Sequence, residues 1–341
     1  MAVSNKRLEE KIARIRRGIA AKRDFIIADA KDADMAFGAT APGPDRVSGR
    51  WRSLAQYRDQ IRQVIAQDIV DIMLLSASNL EQLAFTEGLF RHSRITPAAR
   101  ANDTTDIWAV RGGDYAKHPS RAFRTASIEH IKYGRLDVDC SQPAIGADLG
   151  LYSITFTNNI DWDYKALEDF HAFRHEAEQK HFRYFLEIFN PNVDPGFSAR
   201  DTASFLNDHI VRTLAGVTRS GRPLFLKIPY NGPGPLEELV AYDPDTIVGI
   251  LGGGAGTTLD AFQLIHDAQK YGARVALFGR KINLSEHPLS FIECLRHIAD
   301  GDIAPVEAVR AYHGALARLG IKPQRSLDED LQTTPAVLSY R

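Results

Sequence analysis

Two charged side chains stand alone inside apolar, strand-like runs of the sequence. Lys227 lies within LFLKIP (residues 224–229), and Glu187 lies within YFLEIF (residues 184–189). A lysine with apolar neighbours on both sides is costly to bury unless it is paired or neutral. A neutral amine is a nucleophile towards carbonyl groups. Lys227 is therefore a candidate for Schiff-base formation; the alternative is a strand-end lysine whose amine reaches solvent.

Glu187 is the candidate proton carrier for such an amine. Strand alternation places Phe185, Glu187 and Phe189 on one face. If that face points into the fold, the carboxylate lies beside Lys227 on the next strand and can move protons during bond-making steps. A purely structural ion pair between the two is the alternative, and the sequence does not separate them.

Two glycine-containing turns are candidates for phosphate binding. The run LGGGAGTT (residues 251–258) joins an apolar strand to a helix, where free backbone N–H groups bind anions and glycine allows close approach. No Gly-Lys-Ser/Thr follows, so the run is not a Walker loop. In FGRK (residues 278–281), Gly279 offers a backbone donor and Arg280 a forked donor for phosphate oxygens. Gly253 and Gly254 complete the predicted binding set.

Several charged residues follow the first and third apolar runs. Asp29 comes directly after FIIA (residues 25–28), before Lys31, Asp32 and Asp34. We expect Asp29, the carboxylate nearest the strand, to orient a substrate hydroxyl or the lysine; the alternative is a helix N-cap or a solvated turn. The predicted substrate-binding residues also include Lys31 and, at the end of the third run, Arg100.

These residues must be positioned by short buried strands that alternate with amphipathic helices. Eight candidate strands are present, which predicts a (β/α)8 TIM barrel whose active site lies at the carboxyl ends of the strands. An open doubly wound sheet is the alternative, but it requires a glycine turn after the first strand. Here the glycine run follows the seventh. The candidate strands lie within DFIIADAK, DIVDIMLL, SRITPAAR, GADLGLYSITF, RYFLEIF, RPLFLKIP, DTIVGIL and ARVALFG.

The remaining segments are assigned to the same single domain, residues 1–341. Residues 1–22 are predicted as a helix with apolar positions Leu8, Ile12, Ile15 and Ile19, which caps the domain or packs at a subunit interface. Residues 24–282 hold the strands, and residues 283–341 form C-terminal helices and a tail. The loops at 38–50 and 109–124, rich in glycine, proline and basic residues, either cover the active-site mouth or are plain surface loops.

Composition sets the expected partners and compartment. The chain has 341 residues, 42 basic and 43 acidic side chains, and a formal net charge of −1. This balance gives no electrostatic reason to expect nucleic acid or a membrane surface. Two cysteines and the absence of zinc-type histidine spacing predict no disulfide framework and no metal. We expect no cofactor. No apolar run approaches a membrane span or a signal peptide, so we expect a cytoplasmic protein. The N-terminal helix and the segment Gly314–Arg341 are surfaces through which we expect it to form a homo-oligomer.

The residues above resemble the class I aldolases, in particular the tagatose-bisphosphate aldolases and the archaeal-type class I fructose-bisphosphate aldolases. The resemblance rests on LFLKIP, FLEI, an Ala-Asp pair ending strand one, the Gly-Gly turn and GRKI, and runs over about residues 24–282. It implies a barrel, a metal-free Schiff-base mechanism and a phosphorylated ketose as substrate. It further implies an imine at Lys227, an acid/base at Glu187, assistance by Asp29, and a phosphate held by Gly253, Gly254, Gly279 and Arg280.

Two departures leave the sugar and any second phosphate site open. Tagatose-bisphosphate aldolases place another lysine on the fourth strand, and GLYSITFTNN has none. The first strand ends in Asp-Ala-Lys-Asp where the family pattern is Asp-Gln-Arg-Gly. A non-imine isomerase or lyase acting on a sugar phosphate, and a non-catalytic sugar-phosphate-binding barrel, are the alternative functions.

Overall fold

The protein folds around a closed barrel of eight parallel strands. The computed structural model describes residues 6–45, 48–104, 109–253 and 256–338. Each barrel strand pairs in parallel with its neighbour in sequence, and the last pairs with the first, which confirms the (β/α)8 prediction. The strands, β1 to β8, are Ile26–Lys31, Ile72–Leu75, Thr96–Arg100, Leu149–Thr155, Arg183–Phe189, Leu226–Ile228, Val248–Leu251 and Val275–Phe278.

Helices surround the barrel and extend beyond it at both ends of the chain. In chain order, α1 to α13 are Arg7–Arg16, Asp34–Phe37, Leu54–Gln67, Ala77–Leu80, Ile128–Tyr133, Ile160–Gln179, Ala199–Ala215, Pro233–Tyr242, Thr258–Lys270, Arg280–Leu284, Pro288–Asp300, Pro305–Arg318 and Leu327–Asp330. A π-helical segment, Glu81–Thr86, continues α4. None of the helices in the part of the chain that the structure describes is long and apolar enough to cross a membrane.

Strand alternation divides the apolar side chains between two cores. On β1, Ile26 and Ala28 point into the barrel, whereas Ile27 packs outward against the surrounding helices. The same alternation on the other strands fills the amino-terminal half of the barrel. Its interior residues are Ile72, Leu74, Ala98, Leu149, Leu151, Phe185, Phe225, Ile247, Val275 and Leu277. The carboxyl-terminal half is left for polar groups.

Helix α1 closes the amino-terminal end of the barrel. Leu8 and Ile12 join the interior apolar cluster, and Lys11 Nζ donates to Asp71 Oδ2 at 2.8 Å. Of the two uses expected for this helix, the structure shows the domain cap. The predicted boundary at residue 22 is wrong. The helix ends at Arg16 because Gly18 turns the chain with φ of +69°, which leaves Ile19 63% exposed.

Two insertions stand at the carboxyl ends of the strands. The first follows β1 and includes the loop at 38–50, whose Pro44 forms an isolated antiparallel bridge with Trp51. The second follows β3 and contains a two-stranded ribbon in which Asp103–Thr104 pairs with Ala122–Phe123. Because the carboxyl ends of all eight strands meet at one end of the barrel, both insertions lie where substrates bind in barrel enzymes.

Candidate active site

Strand register places three polar side chains side by side inside the barrel. Ser153 on β4 is the partner of Glu187 on β5, and Glu187 is the partner of Lys227 on β6. Lys227 Nζ lies 2.5 Å from Glu187 Oε1. Beneath this layer, the rings of Phe185 and Phe225 stack with centroids 4.6 Å apart. The structure therefore brings Lys227 and Glu187 together on an aromatic floor.

The second carboxylate oxygen of Glu187 is held from the opposite side. Ser153 Oγ donates to Glu187 Oε2 at 2.6 Å, and a terminal guanidinium nitrogen of Arg100 lies 3.6 Å from the same oxygen. Arg100 in turn donates from Nε to Asp32 Oδ2 at 2.6 Å. All five residues of this cluster, Lys227 included, are at most 7% exposed. Each charge in the cluster has a neighbour of opposite sign, which offsets part of the cost of its burial.

A cavity of about 520 Å³ opens above the cluster at the carboxyl end of the barrel. Asp32, Arg100, Glu187 and Lys227 lie in its wall. The insertion after β3 contributes Ala109, Val110, Gly113, Tyr115 and Ala116 to the same wall. Of the two interpretations of the loop at 109–124, the structure therefore favours the one in which it covers the active-site mouth.

Asp29 and Lys31 do not belong to this cavity. They share the outer face of β1 with Ile27, and their register partners Phe278, Met73 and Leu75 all belong to the outer core. Both are fully buried there, with Lys31 Nζ 3.2 Å from Asp29 Oδ1. Burial raises the pKa of Asp29 above its ordinary value. The expectation that Asp29 and Lys31 contact substrate is corrected, because strand alternation directs them away from the barrel interior.

Asp32 and Ser153 are the site residues that the sequence argument did not select. The sequence favours Asp29 over Asp32, because Asp29 is nearer the apolar residues of the strand. Both residues could have been found by continuing the alternation of inward and outward side chains from the apolar part of each strand, which leads from Ala28 and Ala30 to Asp32. This alternation places Ala30 inside and Asp29 outside on β1, and Ser153 inside with Leu149 and Leu151 on β4.

The two predicted phosphate turns meet at the cavity. Gly252, Gly253 and Gly279 line it, as does Arg280, whose guanidinium lies 5.5 Å from the centre of the Phe37 ring. Gly253 has a φ of +59°, which side chains rarely adopt. A Cβ at Gly279 would lie 2.8 Å from the Ala30 carbonyl oxygen. Gly254 lies outside the described residues.

The backbone N–H groups at the start of the helix that follows the glycine run already donate to carboxylates of the protein itself. At the start of α9, Thr257 N donates to Asp260 Oδ2 and Thr258 N donates to Asp330 Oδ1, both at 2.7 Å. The prediction of free helix N-terminal N–H groups is therefore wrong for these two positions. Asp260, on α9 itself, accepts from Thr257 N in a capping box, and α13 brings Asp330 to Thr258 N. An anion in the cavity must rely on the glycine turns and Arg280.

Lys281 braces the glycine turn from behind. Its Nζ donates to Gly256 O at 2.6 Å and to Thr257 O at 2.8 Å. Burial lowers the pKa of this amine to about 8. Across the described ranges, no group of three or more histidine, cysteine, aspartate or glutamate side chains is arranged to hold a metal ion.

Known structures share this fold at low sequence identity. An archaeal fructose-1,6-bisphosphate aldolase superimposes with a TM-score of 0.61 and 16% identity, covering 86% of this chain and 99% of that one. A second archaeal aldolase structure has its catalytic lysine covalently bound to the carbinolamine intermediate. It superimposes with a TM-score of 0.61 and 16% identity, covering 86% of this chain and 100% of that one. A fructose-bisphosphate aldolase from Slackia heliotrinireducens superimposes with a TM-score of 0.64 and 13% identity, covering 91% of this chain and 90% of that one. No family model and no curated protein sequence matches the chain. At these identities the similarity establishes the fold.

Proposed function

We propose that this protein is a class I aldolase that cleaves or forms a carbon–carbon bond in a phosphorylated ketose through a Schiff base on Lys227. The observation that carries the proposal is the 2.5 Å contact between Lys227 Nζ and Glu187 Oε1 at the floor of the cavity. The archaeal structure with a lysine-bound carbinolamine adds support, because its fold is shared over most of this chain.

Imine formation uses the Lys227–Glu187 pair directly. Transfer of one ammonium proton to Glu187 leaves a neutral amine, which attacks the ketose carbonyl carbon to form a carbinolamine. Glu187 then returns the proton to the carbinolamine hydroxyl, which departs as water and leaves an iminium. The proton balance closes on a single carboxylate, so no second acid is needed for this half of the reaction.

Bond cleavage uses the iminium as the electron acceptor. Glu187 removes the proton of the hydroxyl on the carbon that becomes the aldehyde. The electrons of the breaking carbon–carbon bond then move towards the iminium nitrogen and give an enamine. Protonation of the enamine carbon and hydrolysis of the resulting imine restore Lys227. In this scheme, Ser153 and Arg100 hold Glu187 in place, and Asp32 holds Arg100.

The phosphate of the substrate is assigned to the turns after β7 and β8. Gly253 and Gly279 bring backbone to the cavity wall, and Arg280 supplies the positive charge. Gly254 stays in the predicted set on sequence grounds alone. Asp29 and Lys31 are left out because they lie on the outer side of β1.

Borohydride trapping tests the proposal. The purified protein is reduced in the presence of dihydroxyacetone phosphate or a panel of phosphorylated ketoses, then analysed by intact mass and peptide mapping. We expect one ligand mass added to the peptide that contains Lys227. Lys227→Arg should abolish the adduct, because a guanidinium forms no imine under these conditions. Lys132→Met should keep it, because Lys132 is a second buried amine that donates to Lys180 O at 2.6 Å and does not line the cavity.

A non-imine lyase or isomerase is the second candidate. It is favoured by the pairing of Lys227 with a carboxylate, since an ion pair also stabilises charge that develops on a substrate. The same variants separate the two. Turnover of a sugar phosphate that survives Lys227→Arg, with no adduct in the wild-type protein, would overturn the imine mechanism and support electrostatic catalysis.

A further inference from the structure

A second cavity of about 580 Å³ lies beside the proposed active site. The two cavities share Ala30, Ala33, Phe37, Gly279 and Arg280 in their walls. They are therefore neighbouring chambers, with the Arg280 guanidinium and the Phe37 ring at their junction. The proposed aldolase chemistry uses only the chamber above Lys227.

The wall of this side cavity is dominated by aromatic and apolar groups. Phe37, Pro44, Trp51, Tyr57 and Leu284 all line it. Trp51 is 51% exposed and Leu284 is 42% exposed, so two large apolar side chains face water at its edge. A concave surface of this size with exposed apolar walls is typical of a site for a drug-sized or aromatic ligand group.

The cavity wall is fixed by hydrogen bonds across the insertion after β1. Asn283 Nδ2 donates to Ala41 O at 2.9 Å, and Arg52 N donates to Gly43 O at 3.0 Å. Gly43 has a φ of +76°, and a Cβ there would lie 2.9 Å from Leu284 Cδ2, so the loop lies directly against α10. The Trp51 side of the cavity is thus positioned before any ligand binds, which lowers the ordering cost of binding.

We propose that the side cavity is a binding subsite for an apolar, aromatic-sized group that the substrate carries on its phosphate. An anion bound to Arg280 would lie between the cavity that contains Lys227 and the side cavity that contains Trp51. A phosphate that bridges the two is a diester, with the ketose on one ester oxygen and the aromatic group on the second. This inference rests on the proposed function for the ketose half. The aromatic half depends only on the cavity.

Binding of aryl phosphates to the full chain tests the subsite. Calorimetry compares inorganic phosphate, phenyl phosphate and 1-naphthyl phosphate. We expect the aryl phosphates to bind at least about tenfold more tightly than inorganic phosphate, because burial of the ring adds to the same anion contact. The measurements are repeated on Lys227→Ala, which forms no imine, so the result is independent of whether the aldolase proposal holds.

Two tryptophan variants locate the bound ring. Trp51→Ala should remove most of the aryl advantage while leaving the affinity for inorganic phosphate unchanged. Trp162→Ala is the matched control. Trp162 lies on α6, where its ring stacks against the Arg121 guanidinium, and it lines neither chamber. Equal affinity for phenyl phosphate and inorganic phosphate would overturn the proposal, and so would an aryl advantage that survives Trp51→Ala.

Discussion

Asp32 and Arg100 form a buried ion pair that links the turn after β1 to the end of β3. Arg100 Nε donates to Asp32 Oδ2 at 2.6 Å, with both residues at most 7% exposed. The same guanidinium extends to within 3.6 Å of Glu187. Glu187, the proposed acid/base, is therefore positioned through Asp32, which follows β1. The sequence had favoured Asp29, three positions earlier, for this site.

The first prediction concerns Asp32→Asn. Loss of the charged acceptor leaves Arg100 without its fixed partner, so Arg100 no longer holds Glu187 in place and proton transfer between Glu187 and Lys227 should slow. Because a hydrogen bond to a charged group contributes about 1.5–3 kcal/mol, we expect the rate of borohydride-trapped adduct formation to fall about 10- to 100-fold. Single-turnover trapping at fixed ketose phosphate concentration measures this rate.

Asp29→Asn is the matched control for that variant. Asp29 lies on the same strand but faces the outer core, so its loss should leave the trapping rate of the folded protein within about twofold of wild type. A large fall in rate for Asp29→Asn with no change for Asp32→Asn would reverse the assignment made from strand alternation.

The second prediction concerns Ser153→Ala. This substitution removes the hydroxyl that donates to Glu187 Oε2, while the Ser153 backbone N–H still donates to Asn102 Oδ1 at 2.7 Å. The strand should therefore stay in register while Glu187 loses one of its fixed partners. We expect about a tenfold lower trapping rate with unchanged secondary structure by circular dichroism. An unchanged rate would show that Arg100 alone positions the carboxylate.

The third prediction concerns the fully buried pair Asp29–Lys31. Lys31→Met leaves a buried carboxylate without its cation, and burial already raises the pKa of Asp29. We expect the free energy of unfolding to fall by about 3–5 kcal/mol. The double variant Asp29→Val, Lys31→Met removes both charges and should recover most of that loss. Urea denaturation measures both, and a double variant no more stable than the single one would contradict the pairing.

The fourth prediction concerns Lys281 and pH. Burial lowers its pKa in the folded protein to about 8, below the value of 10.5 for an exposed lysine. Between these two pH values the unfolded chain binds more protons than the folded chain, so the free energy of unfolding contributed by Lys281 rises with pH. We expect the urea midpoint to increase between about pH 7.5 and about pH 9.5 by more in wild type than in Lys281→Met.

A lysine of matched type controls for general titration. Lys270 lies at the exposed carboxyl end of α9, so Lys270→Met should keep the pH response of the wild-type protein. Identical pH responses in wild type and Lys281→Met would show that the amine is not held neutral behind the glycine turn.

Local sequence was sufficient for the parts of the site that lie within strands. Lys227 and Glu187 stand out because a lone charge in an apolar strand has few environments open to it. Their adjacency follows from the order of parallel strands, where consecutive strands pair. The pairing of Glu187 with Lys227 required only that β5 and β6 be neighbours in register.

The predictions that were wrong concern residues beyond the apolar, alternating part of each strand. Asp29, Lys31 and Asp32 lie within four residues of one another, and only the direction of each side chain decides which one faces the cavity. The carboxylate of Asp330 reaches Thr258 N from a helix far along the chain, so the state of that helix start has no local signal. The side cavity likewise forms between the loop after β1 and α10, which are joined by the hydrogen bond from Asn283 to Ala41 O.

The sequence by itself determined the barrel and the two charged residues that meet inside it, Lys227 and Glu187, because hydrophobic periodicity and isolated charges are local properties of the chain. The tertiary structure alone decided which carboxylate supports Arg100, which N–H groups stay free for an anion, and where an apolar chamber opens beside Arg280. These depend on contacts between residues distant in sequence, whose directions are set when the strands close and the later helices pack over them.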